Sequence, residues 1–377
     1  MNFKDFKAGQ WIQQYQYKSF SPVHINSEWT WSDPQINTLL EEAMQAIGEL
    51  NAFSLIVPDV DLFIRMHVLK EANTSSRIEG TKTEIDEALK PKGMVAPERR
   101  DDWQEVQNYI KAMTQAIEQL GQIPLSNRLL KATHKILLEG VRGEGKLPGE
   151  FRKSQNWIGG SGPSNATFVP PQHTEVPDLM SDLEKFLHND TIHVPHLIRI
   201  AISHYQFETI HPFLDGNGRI GRVLITLYLV SKGILKKPTL YLSAYIEKHK
   251  VAYYDALNHV RGSNDLGHWV RFMLTAVRDT AQKGKETFQS ILEIRNEVEK
   301  AILSLGKRAA NASLLLNYLY SRPIITPNEV AEMLSITHQS ASSLIRGFEA
   351  LNILKKWEKT GRNQSYVFGR YFALFLD

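Results

Sequence analysis

Cysteine is missing altogether from the 377-residue chain. Disulfides, zinc thiolate centres and thiol nucleophiles are thereby excluded, and nothing asks for an oxidising compartment. No apolar run approaches the roughly 18 residues of a membrane span. The opening MNFKDFKAGQWIQ has no apolar core of signal length, so a cytoplasmic protein without a membrane partner is expected. A large charge of one sign is missing too: 44 Lys+Arg against 41 Asp+Glu leave +3, and any basic patch must therefore be local. With 42% hydrophobic and 23% charged residues and no low-complexity tract, the composition is globular and the length suits two or three domains.

What is present is mainly helical periodicity. Apolar residues recur at three- and four-residue steps in DPQINTLLEEAMQAIGEL and DVDLFIRMHVLKEA, then in SNRLLKATHKILLEGV, DLMSDLEKFLHN and HLIRIAISHYQFETI. Between SNRLLKATHKILLEGV and DLMSDLEKFLHN lies GEFRKSQNWIGGSGPSNATFVPP, whose Gly, Ser and Pro separate two short β-prone pieces near Asn156–Ile158 and Thr167–Val169. These predict a small hairpin or flap. After Arg222 the run VLITLYLV is apolar on most faces and stops before Gly233, which predicts a central buried helix with Gly233 as a left-handed cap. Further helices are expected around VAYYDALNHV and HWVRFMLTAVRDTAQKG, followed by a long polar one, KETFQSILEIRNEVEKAILSL.

The C-terminal section reads differently. Thr326 as N-cap, Pro327 at the first helical position and Glu329 three residues after the cap predict a helix start with a capping box, and Thr337 predicts a second start. ILKKWEK, the turn TGRN and QSYVF then form a hairpin, completing the order of a winged helix-turn-helix. Arg346, Lys355, Lys356, Lys359 and Arg362 make it locally basic. DNA is one expected partner, and docking of protein, including a second copy in a homodimer, is the other.

The stretch HPFLDGNGRIGR, residues 211–222, carries the chemistry. Arg219 and Arg222 stand three apart on the first turn of the central helix, at the positive end of its dipole, where cations are disfavoured unless concentrated negative charge lies in front. Gly216, Asn217 and Gly218 let backbone N–H groups converge on an anion, with no glycine Cβ to hold it away. Together they read as a polyphosphate cradle. Asp215 beside it suits a divalent cation, and His211 is free to act as a base. Singly, each has a plainer explanation: a structural histidine, a tight turn, an N-cap. A metal-hydrolase arrangement of His211 and Asp215 at i,i+4 lacks a second His/Asp pair.

This stretch resembles the signature His-x-Phe-x-(Asp/Glu)-Gly-Asn-Gly-Arg-x-x-Arg of the Fic (Fido) family of protein AMP-transferases and matches it at every defined position. The resemblance extends from about Leu62 to Leu274, through PGEFRKSQNWIGG, FVPP and VAYYDAL. It implies a mainly α fold, a helical bundle with a β-hairpin flap over the active-site loop. It also implies ATP as donor, AMP moved to a Ser, Thr or Tyr hydroxyl of a target protein or of the chain itself, and pyrophosphate released. His211 would then be the general base and Asp215 the Mg²⁺ ligand. The nucleotide would meet Gly216, Asn217, Gly218, Arg219, Ile220, Gly221 and Arg222, with Tyr253 and Tyr254 near the adenine. Trp157, Ile158 and Gly159 of the flap would register the target's backbone.

TSSRIEG, residues 74–80, resembles the family's inhibitory motif (Ser/Thr)-x-x-x-Glu-(Gly/Asn) through Ser75, Glu79 and Gly80. It predicts a Glu79 carboxylate in a bidentate bridge to Arg222, in place of the γ-phosphate. The competing explanation is a helix-starting capping box, Ser76-x-x-Glu79. The expected division is an N-terminal helical region with the inhibitory helix (1–110), a catalytic core (111–285), a helical linker (286–309) and the winged helix (310–377). Against the auto-inhibited enzyme stands a second function, a DNA-binding regulator whose core only senses nucleotide; an intact His211 favours catalysis.

Overall fold

A computed structural model describes residues 1–57, 59–360 and 363–376. A two-stranded antiparallel hairpin comes first, β1 (Gly9–Gln13) and β2 (Lys18–Pro22). Helices α1 (Pro34–Ile56), α2 (Val60–Ile78), α3 (Ile85–Ala88), α4 (Arg100–Gln119), α5 (Asn127–Leu137), α6 (Val176–His188), α7 (His196–Ile210), α8 (Asn217–Ser231), α9 (Ser243–Lys248), α10 (Lys250–Ser263) and α11 (Leu266–Ile302) follow. The last section runs α12 (Ala309–Ser321), β3 (Ile324–Ile325), α13 (Pro327–Leu334), α14 (His338–Ala350), β4 (Lys355–Thr360), β5 (Asn363–Val367) and α15 (Gly369–Phe372). Its strands form an antiparallel sheet in the order β3-β5-β4. Among the described residues no helix is long and apolar enough to cross a membrane.

Local chemistry explains where the helices begin. Asp33 accepts from Gln35 N with Pro34 at the first helical position of α1, and Ser126 accepts from Leu129 N to start α5. The capping box predicted at Thr326 and Glu329 is present in both directions, and Thr337 caps α14. α7 and α8 lie at the centre: every residue from Leu197 to Ile210 and from Arg219 to Leu229 is buried, as a helix apolar on most faces requires. α8 ends before Gly233, whose φ is +67°.

α11 packs along α1 and continues unbroken through residue 285 to Ile302, about 55 Å at 1.5 Å per residue. The C-terminal section rests directly on α2. Phe63, fully buried, meets Tyr320 at 4.9 Å and Tyr371 at 6.2 Å, and His67 meets Phe375 at 5.2 Å between ring centroids. Arg362 and the side chain of Lys359, expected in the basic patch, lie outside the described residues; Arg346, Lys355 and Lys356 are exposed.

Two β features differ from expectation. The flap is not a ladder: the two β-prone pieces meet through one antiparallel bridge, Ile158 with Phe168, where Ile158 N donates to Phe168 O at 2.8 Å and Phe168 N donates to Ile158 O at 3.1 Å. Gly159 and Gly160 have φ of +70° and +69°, which turns the chain out of pleated geometry immediately after the bridge. The β1–β2 hairpin, not foreseen, packs on this flap. Phe20 N donates to Val169 O at 2.9 Å, and Trp11 and Phe20 each lie 5.9 Å from Phe168.

Candidate functional site

The site forms where α7 stops and α8 starts. His211 ends α7 in the left-handed conformation, φ 50° and ψ 62°, with its N–H on Phe207 O at 2.9 Å. That conformation costs a non-glycine residue about 1–2 kcal/mol, so the turn must be held from outside. Arg152 Nε and Asn156 Nδ2 donate to His211 O at 3.0 and 3.1 Å, and Arg152 N donates to Pro212 O at 2.9 Å. Both residues come from the stretch leading into the flap. Burial, with Arg152 and Arg261 adding, pushes the His211 imidazole down to about 3, and its Nδ1 has no hydrogen-bond partner. A neutral ring is therefore available as a proton acceptor.

Phe213 anchors the loop, fully buried and stacked on His134 with centroids 3.8 Å apart. Gly149 N–H donates to His134 Nδ1 at 2.9 Å, which leaves the ring proton on Nε2, 2.9 Å from Asp215 O. Sequence reasoning missed His134. Its signal was a histidine on the apolar face of KATHKILL, between Leu130 and Leu137 at helical spacing.

Gly216 opens α8 with φ +75°, and the N–H groups of Asn217, Gly218 and Arg219 follow as the first turn, where no intrahelical acceptor exists. The Asn217 side chain faces inward: Phe213 N donates to its Oδ1 and its Nδ2 donates to Phe213 O, each at 2.8 Å. It braces the loop and leaves only its amide to the cradle. Ile220 and Gly221 depart from the expected nucleotide contacts. Ile220 is fully buried with its N–H on Gly216 O at 3.0 Å, and Gly221 packs beneath the cradle with its carbonyl 3.0 Å from His204 Nδ1. A Cβ on Gly221 would collide with Glu208 Oε1 and crowd His204 and Phe207. Gly221→Ala is therefore expected to destabilise the fold by about 1–3 kcal/mol, read as a lowered urea midpoint at constant m.

The two arginines are both engaged and both 4% exposed. Arg222 donates through Nε to Ser75 Oγ at 2.8 Å and through Nη2 to Ser75 O at 3.0 Å and Glu79 Oε1 at 2.7 Å. The expected bidentate bridge is thus replaced by a fork shared between Glu79 and Ser75, because Ser75, four residues before Glu79 on α2, occupies Nε and shares Nη2. Ser75 and Ser76 lie at the end of α2 and Glu79 is its C-cap, so the helix-starting capping box is excluded. A Cβ on Gly218 would collide with Glu79 Oε1, which places the carboxylate in the mouth of the cradle. Burial alone raises the Glu79 carboxyl, but Arg222, with Arg219 and His211 adding, outweighs it and holds the group below the ordinary carboxylate range. Arg219 takes an unforeseen partner on α4: its Nη1 lies 3.2 Å from Glu105 Oε2, while its Nη2 is 3.5 Å from Asp215 Oδ1. Arg142 Nε shares Glu105 at 2.8 Å.

Of the paired tyrosines, Tyr253 is 2% exposed with its hydroxyl 2.8 Å from His204 Nε2, so it belongs to the core; Tyr254, 39% exposed, is the one that offers a face. Trp157 is 41% exposed at the flap's turn. Among the described residues no three His, Asp or Glu side chains converge as a metal cage. Asp215 offers a single half-exposed carboxylate beside the cradle, a donor set that fits Mg²⁺, which commonly takes one or two carboxylates and completes its shell with phosphate oxygens and water.

A family model described as Fic/DOC family N-terminal matches residues 37–118, and one described as Fic/DOC family matches residues 124–229. The chain is similar to proteins named protein adenylyltransferase Fic. It is 34% identical over 134 residues to that of Aedes aegypti and 30% identical over 135 residues to that of Drosophila melanogaster, in each case 35% of this chain and 24% of the relative. It therefore spans about a quarter of the length of these relatives. Among solved structures, a Fic family protein from Desulfovibrio desulfuricans G20 superposes over 89% of this chain and 96% of its own, with TM-score 0.56 and 22% identity. A Fic domain containing signaling protein from Bacteroides thetaiotaomicron superposes over 66% and 97%, with TM-score 0.55 and 16% identity. At these identities the structures speak for the fold.

Proposed function

Because the chain belongs to the Fic/DOC family, we propose that it is an auto-inhibited protein adenylyltransferase that moves AMP from ATP to a Ser, Thr or Tyr hydroxyl of a target protein or of itself. The observation that carries this is the meeting of four things at one point: a neutral imidazole, free first-turn amides, two buried guanidinium groups and a carboxylate standing among them. A carboxylate drawn to that point marks it as an anion site.

In the reaction the triphosphate lies across the amides of Asn217, Gly218 and Arg219, with Arg219 and Arg222 on its terminal phosphates. His211 takes the proton of the target hydroxyl as the oxygen bonds to the α-phosphorus. The bond from that phosphorus to the bridging oxygen breaks and pyrophosphate leaves. Asp215 would hold Mg²⁺, which when bound neutralises phosphate charge. The exposed flap edge at Trp157–Gly159 would take the target backbone as an added strand. On this reading Glu79 must leave Arg222 before the terminal phosphate can take its place, and its contact with Arg222 is what supports a brake.

The test is mass spectrometry of the Glu79→Gly protein after incubation with ATP and magnesium, alone and with lysate. A peptide bearing AMP on a hydroxyl is the expected product; a phosphate adduct, or no adduct on any peptide, would overturn the assignment. A second reading, duplex DNA binding by the C-terminal section, draws on the exposed Arg346, Lys355 and Lys356 and is compatible with the first. It predicts steeply salt-dependent binding that weakens in Lys355→Ala with Lys356→Ala.

A further inference from the structure

A carboxylate stays in the cradle only if the backbone that carries it is held, and the close of α2 is built to hold it. Thr81 N donates to Ser76 O at 3.2 Å and Gly80 N to Arg77 O at 3.0 Å, with Gly80 at φ +105°. This is a Schellman close, made by a glycine where a side chain would be strained. The Ile78 carbonyl, left over in the last turn, accepts from Lys250 Nζ at 2.8 Å at the start of α10.

α9 is bonded to the same stretch of α2 at both of its ends. Ser243, at its start, donates to Glu71 through Oγ at 2.6 Å and through N at 3.3 Å. Nearer the end of α2, Arg77 donates through Nε and Nη2 to the two carboxylate oxygens of Glu247 at 2.5 and 2.8 Å. Glu84 stands farther off, 3.9 Å from Arg77. Glu71 and Ser243 are buried, whereas the Arg77–Glu247 pair and Lys250 lie at the surface. Among the described residues neither Glu247 nor Lys250 is bonded to the 211–222 loop, so whatever they do to the site they do through α2.

Given the auto-inhibited enzyme proposed above, on which this rests, we propose that α9 and the start of α10 form a latch on the inhibitory turn. The Arg77–Glu247 pair and the Lys250 cap fix the backbone from Ser76 to Thr81, and through it the place of Glu79 on Arg222. They are positioning residues. Glu79 meets Arg222 through Oε1, and its side chain is 34% exposed, so its carboxylate remains in the cradle only while the turn beneath it is ordered. A frayed turn gives that carboxylate other places to be and lowers the braked fraction. The latch also joins two sides of the candidate nucleotide site, because Lys250 lies one turn before Tyr254 on α10.

Glu247→Gln with Lys250→Met removes both charges from the latch and leaves Glu79, Arg222 and the core in place. In the full chain the initial rate of self-labelling with α-labelled ATP should rise about 3–10-fold, the effect expected of one partly exposed ion pair and one charged helix cap. Added to Glu79→Gly, where no carboxylate remains to be placed, the same pair of changes should leave the rate unaltered. Hydrogen–deuterium exchange without ATP reads the turn itself: residues 76–81 should exchange several-fold faster in the double variant, and α7 and α8 as in the wild type. Unchanged exchange would overturn the latch. So would a faster-exchanging turn with an unaltered transfer rate, which would mean that Glu79 leaves by side-chain rotation alone, or an equal change of rate in both backgrounds. Failure of the auto-inhibited reading looks different: Glu79→Gly would then be no faster than the wild type, and faster exchange at 76–81 would still support the hold of α9 and α10 on the turn.

Discussion

Glu79→Gly is expected to raise the initial rate of AMP transfer by about 10–100-fold, measured as self-labelling with α-labelled ATP. The size follows from what is removed. A charge-assisted hydrogen bond contributes about 1.5–3 kcal/mol, and with Arg222 buried and the Glu79 side chain a third exposed the lower part of that range applies, so the equilibrium between braked and open sites shifts by the corresponding factor. Arg222 keeps Ser75 Oγ and Ser75 O as partners, so the guanidinium remains aimed at the cradle and can take phosphate in place of the lost carboxylate. Glu79 is the C-cap of α2 and is followed by Gly80 at φ +105°, so glycine there loosens only a chain already leaving the helix. The variant should melt a few degrees lower, because a buried cation has lost its counter-charge, and should regain those degrees on adding ATP, which then binds the folded state better. An unchanged rate, with the melting point lowered and ATP restoring it, would mean that Glu79 serves packing and not regulation.

Much of this was legible in the sequence, and the division between what was and was not has a physical cause. Helix starts at Thr326 and Thr337, the buried α8 and the cap at Gly233 depend on side chains within a few residues of one another, so local pattern suffices. The cradle is likewise twelve consecutive residues whose charge placement is self-contradictory unless an anion is near. The Glu79–Arg222 contact spans 143 positions and was reachable only through the resemblance; periodicity gives no partner at that distance. Arg219 with Glu105, 114 positions apart, had no such guide and was missed, as was His134 beneath Asp215 O. The inward task of the Asn217 side chain was not read from the sequence: an amide side chain can satisfy both the N–H and the carbonyl of Phe213 at once, while the Asn217 backbone N–H keeps its expected place in the first turn of α8. The β1–β2 hairpin escaped notice for a different reason. Its strands, GQWIQ and KSFSP, are short and half polar, and they gain order from Phe168 and Val169, far along the chain.

His211→Ala is expected to lower AMP transfer by about 10²–10⁴-fold in both the wild-type and Glu79→Gly backgrounds, the usual contribution of a positioned general base. Nucleotide affinity should change little, since the amides of α8 and the two arginines are untouched; equilibrium binding of labelled ATP to the Glu79→Gly and Glu79→Gly/His211→Ala proteins checks this. The pH profile separates this base from an ordinary histidine. A pKa lowered to about 3 means that the ring loses its proton at a lower pH than usual, so the reactive neutral form persists as the medium is acidified. No loss of rate centred near pH 6.5 is therefore expected from His211. Glu208, pushed up to about 7 chiefly by burial, is the group beside it that titrates near neutrality, its Oε2 lying 3.9 Å from His211 Nδ1. Any inflection near pH 7 should accordingly vanish in Glu208→Gln while most of the rate remains. Were the alanine variant to keep a tenth of the rate, the proton would have to leave the attacking hydroxyl by another route, and a histidine held in a strained left-handed turn by Arg152 and Asn156 would have no chemical reason to be there.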